Sequence, residues 1–158
     1  MATHHDGGVD SGLEEVVGAS RGLLGVVARS LAPALEDVTV PQLRLIVLAA
    51  TLGPTRSRDL AERLGVSTST FTRNVDRLEA GGWVHRRINE ESKREVFVEA
   101  TRQGRELVDD VTARRRAELK TLLDSMPPED REAAVLGASA MRRALDEPLP
   151  EELSRFGG

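Results

Sequence analysis

The sequence predicts a mainly α-helical fold of the α+β class, in which a small head carrying one β-hairpin sits on a platform of longer helices. Three observations lead there. Apolar residues recur at three- and four-residue intervals through most of the 158 residues, the period of an amphipathic helix. Only the stretch between Gly81-Gly82 and Thr101 reads instead as two strands around a polar loop. Helical periodicity then continues past Thr101 for about 26 residues, or roughly 39 Å, too long for a small head to cover. With 39% apolar and 30% charged residues the chain can bury a core.

Residues 1–11 are polar and Gly-rich and are expected to be disordered. Residues 12–34 hold the first helix, with Leu13, Val16, Val17, Ser20, Leu23, Leu24, Val27 and Leu31 at helical spacing before Pro33. Gly18, Gly22 and Gly25 lie inside it. Each weakens a helix by ~1 kcal/mol relative to Ala, so their repetition implies close approach by another helix, as at a dimer interface. Thr39-Val40-Pro41-Gln42 fits a capping box that opens the second helix. Leu43, Leu45, Ile46, Val47, Leu48, Ala50 and Leu52 are nearly continuous, which implies burial on most sides. Gly53-Pro54 ends it.

Arg58 to Leu64 forms a short third helix with Leu60, Ala61 and Leu64 on one face, stopped by Gly65. Ser67 suits an N-cap. Beyond it Phe71, Val75 and Leu78 form a buried stripe, while Ser69, Thr72, Arg73 and Asp76 fall on the opposite side. Trp83–Ile88 and Arg94–Ala100 are the two strands, joined by Asn89-Glu90-Glu91-Ser92-Lys93. Two helices, a turn and a basic hairpin make a winged helix-turn-helix over residues 38–100. Its outward face of small hydroxyls and arginines suits a helix entering the major groove, where arginine can donate two hydrogen bonds to guanine. Asp76 could accept from a cytosine amino group, but a helix-surface pairing with Arg73 or Arg77 is the favoured reading. Residues 56–94 carry nine Arg or Lys against six Asp or Glu, a balance of +3, whereas the remainder carries −7 of the total of −4. Basic charge is therefore concentrated in the head.

The segment Thr39 to Arg94 resembles the multiple antibiotic resistance regulator (MarR) family of winged-helix transcription factors. The matching residues are Thr39-Val40-Pro41-Gln42, Asp59-Leu60-Ala61-Glu62-Arg63-Leu64 and Ser67 to Leu78, with Thr101-Arg102-Gln103-Gly104 opening the fifth helix in the family manner. The similarity runs over about residues 13–147. It implies a homodimer on DNA, built through the first, fifth and sixth helices, with a possible small-molecule effector bound between platform and head. Two departures stand out. Ser92 precedes Lys93-Arg94 where the family usually has an acidic residue, so an acid-to-arginine brace in the wing is missing. Ala100-Thr101 replaces the family's Leu-Thr, a loss of packing volume.

Residues 101–147 hold the fifth and sixth helices. Thr101 caps the fifth, which should reach about Met126 with Leu107, Val111, Leu119, Leu122 and Met126 on its stripe. Arg114-Arg115-Arg116 interrupts that stripe; solvated heads over apolar stems are favoured over an anion-binding cavity. Pro127-Pro128-Glu129-Asp130 starts the sixth helix, whose apolar face is Ala134, Ala138, Met141 and Leu145. Residues 148–158 are expected to fray. Trp83 is read as a core anchor of the wing rather than a ligand contact.

Zero cysteines exclude disulfides and thiol switches. Of the three histidines, His4 and His5 lie in the tail and His85 in a strand, so no metal site or cofactor is expected. No apolar run is long enough to span a bilayer and no signal peptide is evident, so the expected location is the cytoplasm without membrane contact. Catalysis is not expected either: His85 has no evident orienting partner, and acids such as Glu62 and Glu79 read as solvated helix positions. The expected function is sequence-specific binding of double-stranded DNA by a homodimeric regulator, and the resemblance implies repression, the family's commoner habit. Base-edge or nearby phosphate contacts fall to Thr68, Ser69, Thr70, Thr72, Arg73 and Arg77, and minor-groove or phosphate contacts to Arg86, Arg87, Lys93 and Arg94. The alternative is a winged helix used for protein contact, for which an apolar or acidic outer face would be expected.

Overall fold

The computed structural model describes the backbone of residues 7–88 and 95–145, with side chains from residue 12 onward. Helix α1 spans Gly7–Leu31, α2 Val40–Leu52, α3 Ser57–Leu64, α4 Thr68–Ala80, α5 Arg102–Asp124 and α6 Pro128–Ala144. Strands β1 (Thr55–Arg56), β2 (Val84–Ile88) and β3 (Val96–Ala100) form an antiparallel sheet in the order β1-β3-β2.

Helix α2 is the hub. Thr39 begins it with the expected capping box: its hydroxyl accepts the Gln42 N–H, and the Gln42 side chain accepts the Thr39 N–H at 2.9 Å. Leu45, Ile46 and Ala49 are wholly buried. Around them lie Leu60 and Ala61 of α3, Phe71, Val75 and Leu78 of α4, Val84, Val98 and Ala100 of the sheet, and Val111 of α5. An α-helix can be enclosed on so many sides because its backbone hydrogen bonds are satisfied internally, leaving only side chains to be packed. Gly65 ends α3 at φ +65°, the left-handed conformation that lets the chain turn at once into α4.

In the sheet, Val84 pairs with Ala100 and Arg86 with Val98, which puts these residues on the core side; His85 and Arg87 share the other face with Glu99 and Phe97. Outside the head, α1 lies along α5. Arg29 of α1 is 2.9 Å from Glu118 of α5, and Arg115 donates to the buried Ser30 hydroxyl at 3.4 Å. Arg114 and Arg116 are exposed, as expected, whereas Arg115 is half-buried against α1. Helix α6 has no buried residue at all.

Several boundaries differ from expectation. Helix α1 already includes Gly7 to Ser11, part of the stretch expected to be disordered; the remainder of that stretch, 1–6, lies outside the described residues, as does the expected frayed tail 148–158. A helix can begin in Gly-rich sequence when the following turns propagate it at little further cost. A single turn of 3-10 helix at Ala34–Glu36 follows Pro33 and buries Ala34. Strand β1 was not expected, because two residues are too few to show an alternating pattern; it exists through pairing of Thr55 with Val98 and Arg56 with Phe97. Helix α5 stops at Asp124, before Met126, with Ser125 as its C-cap. Gly18 and Gly22 meet nothing: a Cβ at either would have no neighbour within 4 Å. Among the described residues no helix is long and apolar enough to cross a membrane.

Leu60 is fully buried beneath α2, and Leu60→Ala should destabilise the protein by about 2–5 kcal/mol through lost burial and a residual cavity. Urea unfolding at fixed protein concentration measures it, and a loss below about 1 kcal/mol would contradict this packing.

Candidate nucleic-acid interface

Helix α4 forms because Ser67 caps it and because Phe71, Val75 and Leu78 anchor one face in the core. The Ser67 hydroxyl accepts the Thr70 N–H at 3.3 Å and lies 3.0 Å from the Thr70 hydroxyl and 3.1 Å from that of Ser69. Thr70 is thus half-buried and engaged in the cap, while Thr68, Ser69, Thr72, Arg73 and Arg77 are exposed. Arg73 and Arg77 are one turn apart, so they project from the same side. Among the described residues no carboxylate pairs with either of them.

Arg86 is placed differently. On the core side of β2, its guanidinium forks between Asp76 and Glu79 of α4, with Nη2 to Asp76 Oδ1 and Nη1 to Glu79 Oε2 both 2.6 Å. The Arg86 backbone N–H also donates to Glu79 Oε1 at 2.9 Å, and Nη2 lies 3.4 Å from the Thr72 carbonyl. Burial works against the Arg86 charge, but the hydrogen bonds and charges of Asp76 and Glu79 outweigh it and hold its pKa above the ordinary arginine value. Charge-assisted hydrogen bonds with two fixed acceptors tie the first strand of the wing to the last turns of α4.

This corrects two expectations. Asp76 pairs with Arg86 rather than with Arg73 or Arg77, because the strand brings a guanidinium within reach from a better direction than the helix surface allows. Glu79 is a partner of the wing rather than a solvated helix position. The sequence signal for this is modest: two carboxylates at i and i+3 on one helix face, followed after a two-glycine turn by a strand with an inward arginine.

On the other face of the sheet, Glu99 gathers basic side chains. Its carboxylate is 3.4 Å from His85 Nε2, 3.7 Å from Arg87 Nη1 and 3.8 Å from Arg105 Nη1 of α5. His85 therefore has a partner that the sequence did not disclose. Arg87 remains mostly exposed, its side chain 64% accessible. Lys93 and Arg94 lie outside the described residues, as does the wing tip whose missing acid the sequence pointed to. A groove of about 1210 Å³ runs beside α4, lined among others by Arg58, Thr68, Phe71, Thr72 and Arg86.

The brace should be measurable without DNA. In a double-mutant cycle of Asp76→Ala and Arg86→Ala, the coupling energy should be about 0.5–1.5 kcal/mol, the range for a partly exposed charge-assisted pair. Additivity within error in urea unfolding would show that the two groups do not act together.

With this geometry the chain can be set beside known proteins. A model of the MarR family matches residues 38–96. The HTH-type transcriptional regulator YfiV of Bacillus subtilis (strain 168), itself uncharacterized, is 32% identical over 115 residues, covering 73% of this chain and 72% of YfiV. The crystal structure of RV1404 from Mycobacterium tuberculosis superimposes with a TM-score of 0.81 at 34% identity, covering 91% of this chain and 98% of that one. Streptococcus pneumoniae FabT, whose structure is in complex with DNA, shares the fold with a TM-score of 0.71 at 17% identity, over 88% of this chain and 98% of FabT. The head, its helix-turn-helix and the extent of these matches agree: the chain belongs to the MarR family of winged-helix transcriptional regulators.

Proposed function

We propose that this protein is a homodimeric repressor in the cytoplasm that reads a pseudo-palindromic DNA site with α4 and releases it on binding a small molecule. The observation that carries the DNA-reading part is the outer face of α4: exposed Thr68, Ser69 and Thr72 beside Arg73 and Arg77, with no carboxylate among the described residues neutralising either arginine. Small hydroxyls permit close approach to the duplex, and an unpaired guanidinium is available to phosphates or to guanine. Thr70 contributes through the cap and sits near the same surface. Arg87, Lys93 and Arg94 supply phosphate or minor-groove contacts from the wing. Arg86, held by two carboxylates, serves this reading by positioning the wing more than by touching DNA.

Dimerisation through α1, α5 and α6 is supported by apolar side chains that stand exposed among the described residues. Leu24 is 67% exposed, Leu136 65% and Leu145 77%. Leu13, Val16 and Leu23 of α1 and Val135 and Met141 of α6 are likewise open. Exposed apolar surface on this scale is the mark of an interface. The open sides of Gly18 and Gly22 leave room for close approach by a helix of the second copy. In a two-fold dimer each α4 would enter one major groove, with half-site centres about 34–36 Å apart.

The test is binding of the purified protein to the intergenic DNA beside its own gene, titrated against salt and against random DNA of equal length. Tight, salt-dependent binding with preference for one fragment is expected; binding indifferent to sequence at low salt would overturn the reading. Arg73→Ala should cost about 1–3 kcal/mol at the selected site and relax its base preference, whereas Lys93→Ala should weaken all sequences about equally. Equal losses on selected and random DNA for Arg73→Ala would remove Arg73 from base reading.

A further inference from the structure

The joint between the reading head and the long helix α5 has almost no free space. Gly104, in the first turn of α5, faces the backbone of Trp83: a Cβ there would lie 2.2 Å from the Trp83 carbonyl oxygen, 3.2 Å from its carbon and 3.3 Å from Ile46 Cγ2 of the hub. A flexible side chain could step aside, but a carbonyl held in place cannot. That carbonyl accepts the Thr101 N–H at 3.1 Å. A short relay fixes the same junction: the Gly104 N–H donates to the Thr101 hydroxyl at 3.1 Å, and that hydroxyl donates to the Gly82 carbonyl at 2.6 Å. Gly82, at φ +77°, belongs to the turn that leaves α4. Arg105 adds a 2.6 Å hydrogen bond from α5 to the Ala100 carbonyl at the base of the wing.

The end of α4, the start of the wing and the start of α5 are thus referenced to one another within a single turn of helix. We propose that Gly104, acting with Thr101, is a positioning residue that sets the half-site spacing the dimer recognises, while leaving the bases read within each half-site unchanged. The inference rests on the DNA-binding dimer proposed above. The lever arithmetic makes the effect large enough to see. Backing α5 off by ~1 Å across a helix radius of ~5 Å rotates the head by ~12°, which moves the far end of a ~20 Å recognition helix by ~4 Å. That displacement is comparable with the ~3.4 Å rise of one base pair. Added volume at Gly104 therefore changes spacing rather than chemistry, since none of the side chains on the outer face of α4 is touched.

The experiment is selection from a random 40-bp duplex library by the full-length parent and by Gly104→Ala in parallel, with circular dichroism and sedimentation to establish folded dimers. The parent should enrich a palindrome. The variant should enrich the same half-site bases at a spacing altered by a base pair or more, and should bind the parent's palindrome at least about tenfold more weakly. Thr101→Val, which removes the relay without adding volume at the Trp83 carbonyl, should broaden the accepted spacings, and Thr101→Ser should restore the parent's preference. A folded Gly104→Ala dimer that selects the parent's spacing with affinity within about twofold overturns the inference. So does unchanged spacing in Thr101→Val where Gly104→Ala does not fold. A parent that enriches no palindrome overturns the DNA-reading proposal itself, an outcome distinct from either.

Discussion

Leu45, Ile46 and Ala49 have no exposure to solvent, and the elements that carry the reading surface are all held in relation to the helix on which these residues sit. This enclosure is the constraint from which the head follows. A helix covered by α3, α4, the sheet and α5 leaves each of those elements one apolar face and little freedom to rotate, since a rotation would expose packed side chains and open voids. The direction in which Arg73 and Arg77 project is therefore decided by Phe71, Val75 and Leu78 on the opposite side of α4. Packing fixes orientation, and orientation makes a polar face usable.

Electrostatics divides the basic side chains of the head into two kinds. Arg86 is bound by Asp76 and Glu79, Arg56 lies 3.2 Å from Glu95, and His85 and Arg87 share Glu99 with Arg105. These pairs join strand to helix, strand to strand and sheet to α5, so acidic residues act chiefly at the seams. The exposed arginines of α4 lie away from the seams. Positive charge is thus concentrated where, among the described residues, no carboxylate pairs with it, which is the condition for attracting a polyanion.

Much of this organisation was legible in the sequence, because helices and caps are written locally. The capping residues Thr39, Ser67 and Thr101 and the stops at Gly53 and Gly65 all stand where the residue types placed them. What escaped was non-local. Strand β1 exists only because β3 is beside it, and the partners of Arg86 and His85 come from elements seven and fourteen residues away, as Glu79 and Glu99. Sequence spacing points Asp76 to a neighbour on its own helix, because it shows relations within a helix and hides cross-element ones. The steric contact at Gly104 could not be read at all, since a glycine near a helix start has many ordinary explanations. The start of α1 differs for a related reason: the local composition predicts disorder, whereas the helix that follows extends through Gly7 to Ser11.

The fork at Arg86 also separates the exposed face of α4 from the joints that build the head. Wing and recognition helix are joined through Asp76, Glu79 and Arg86, and α4 is seated through Phe71, Val75 and Leu78. The positions left over, Thr68, Ser69, Thr72, Arg73 and Arg77, carry neither the joint nor the core. Sequence at these five can drift, or be exchanged in the laboratory, without dismantling the frame that presents it. If α4 reads DNA as proposed, such a head is a socket for interchangeable binding preferences, altered through a single helical surface.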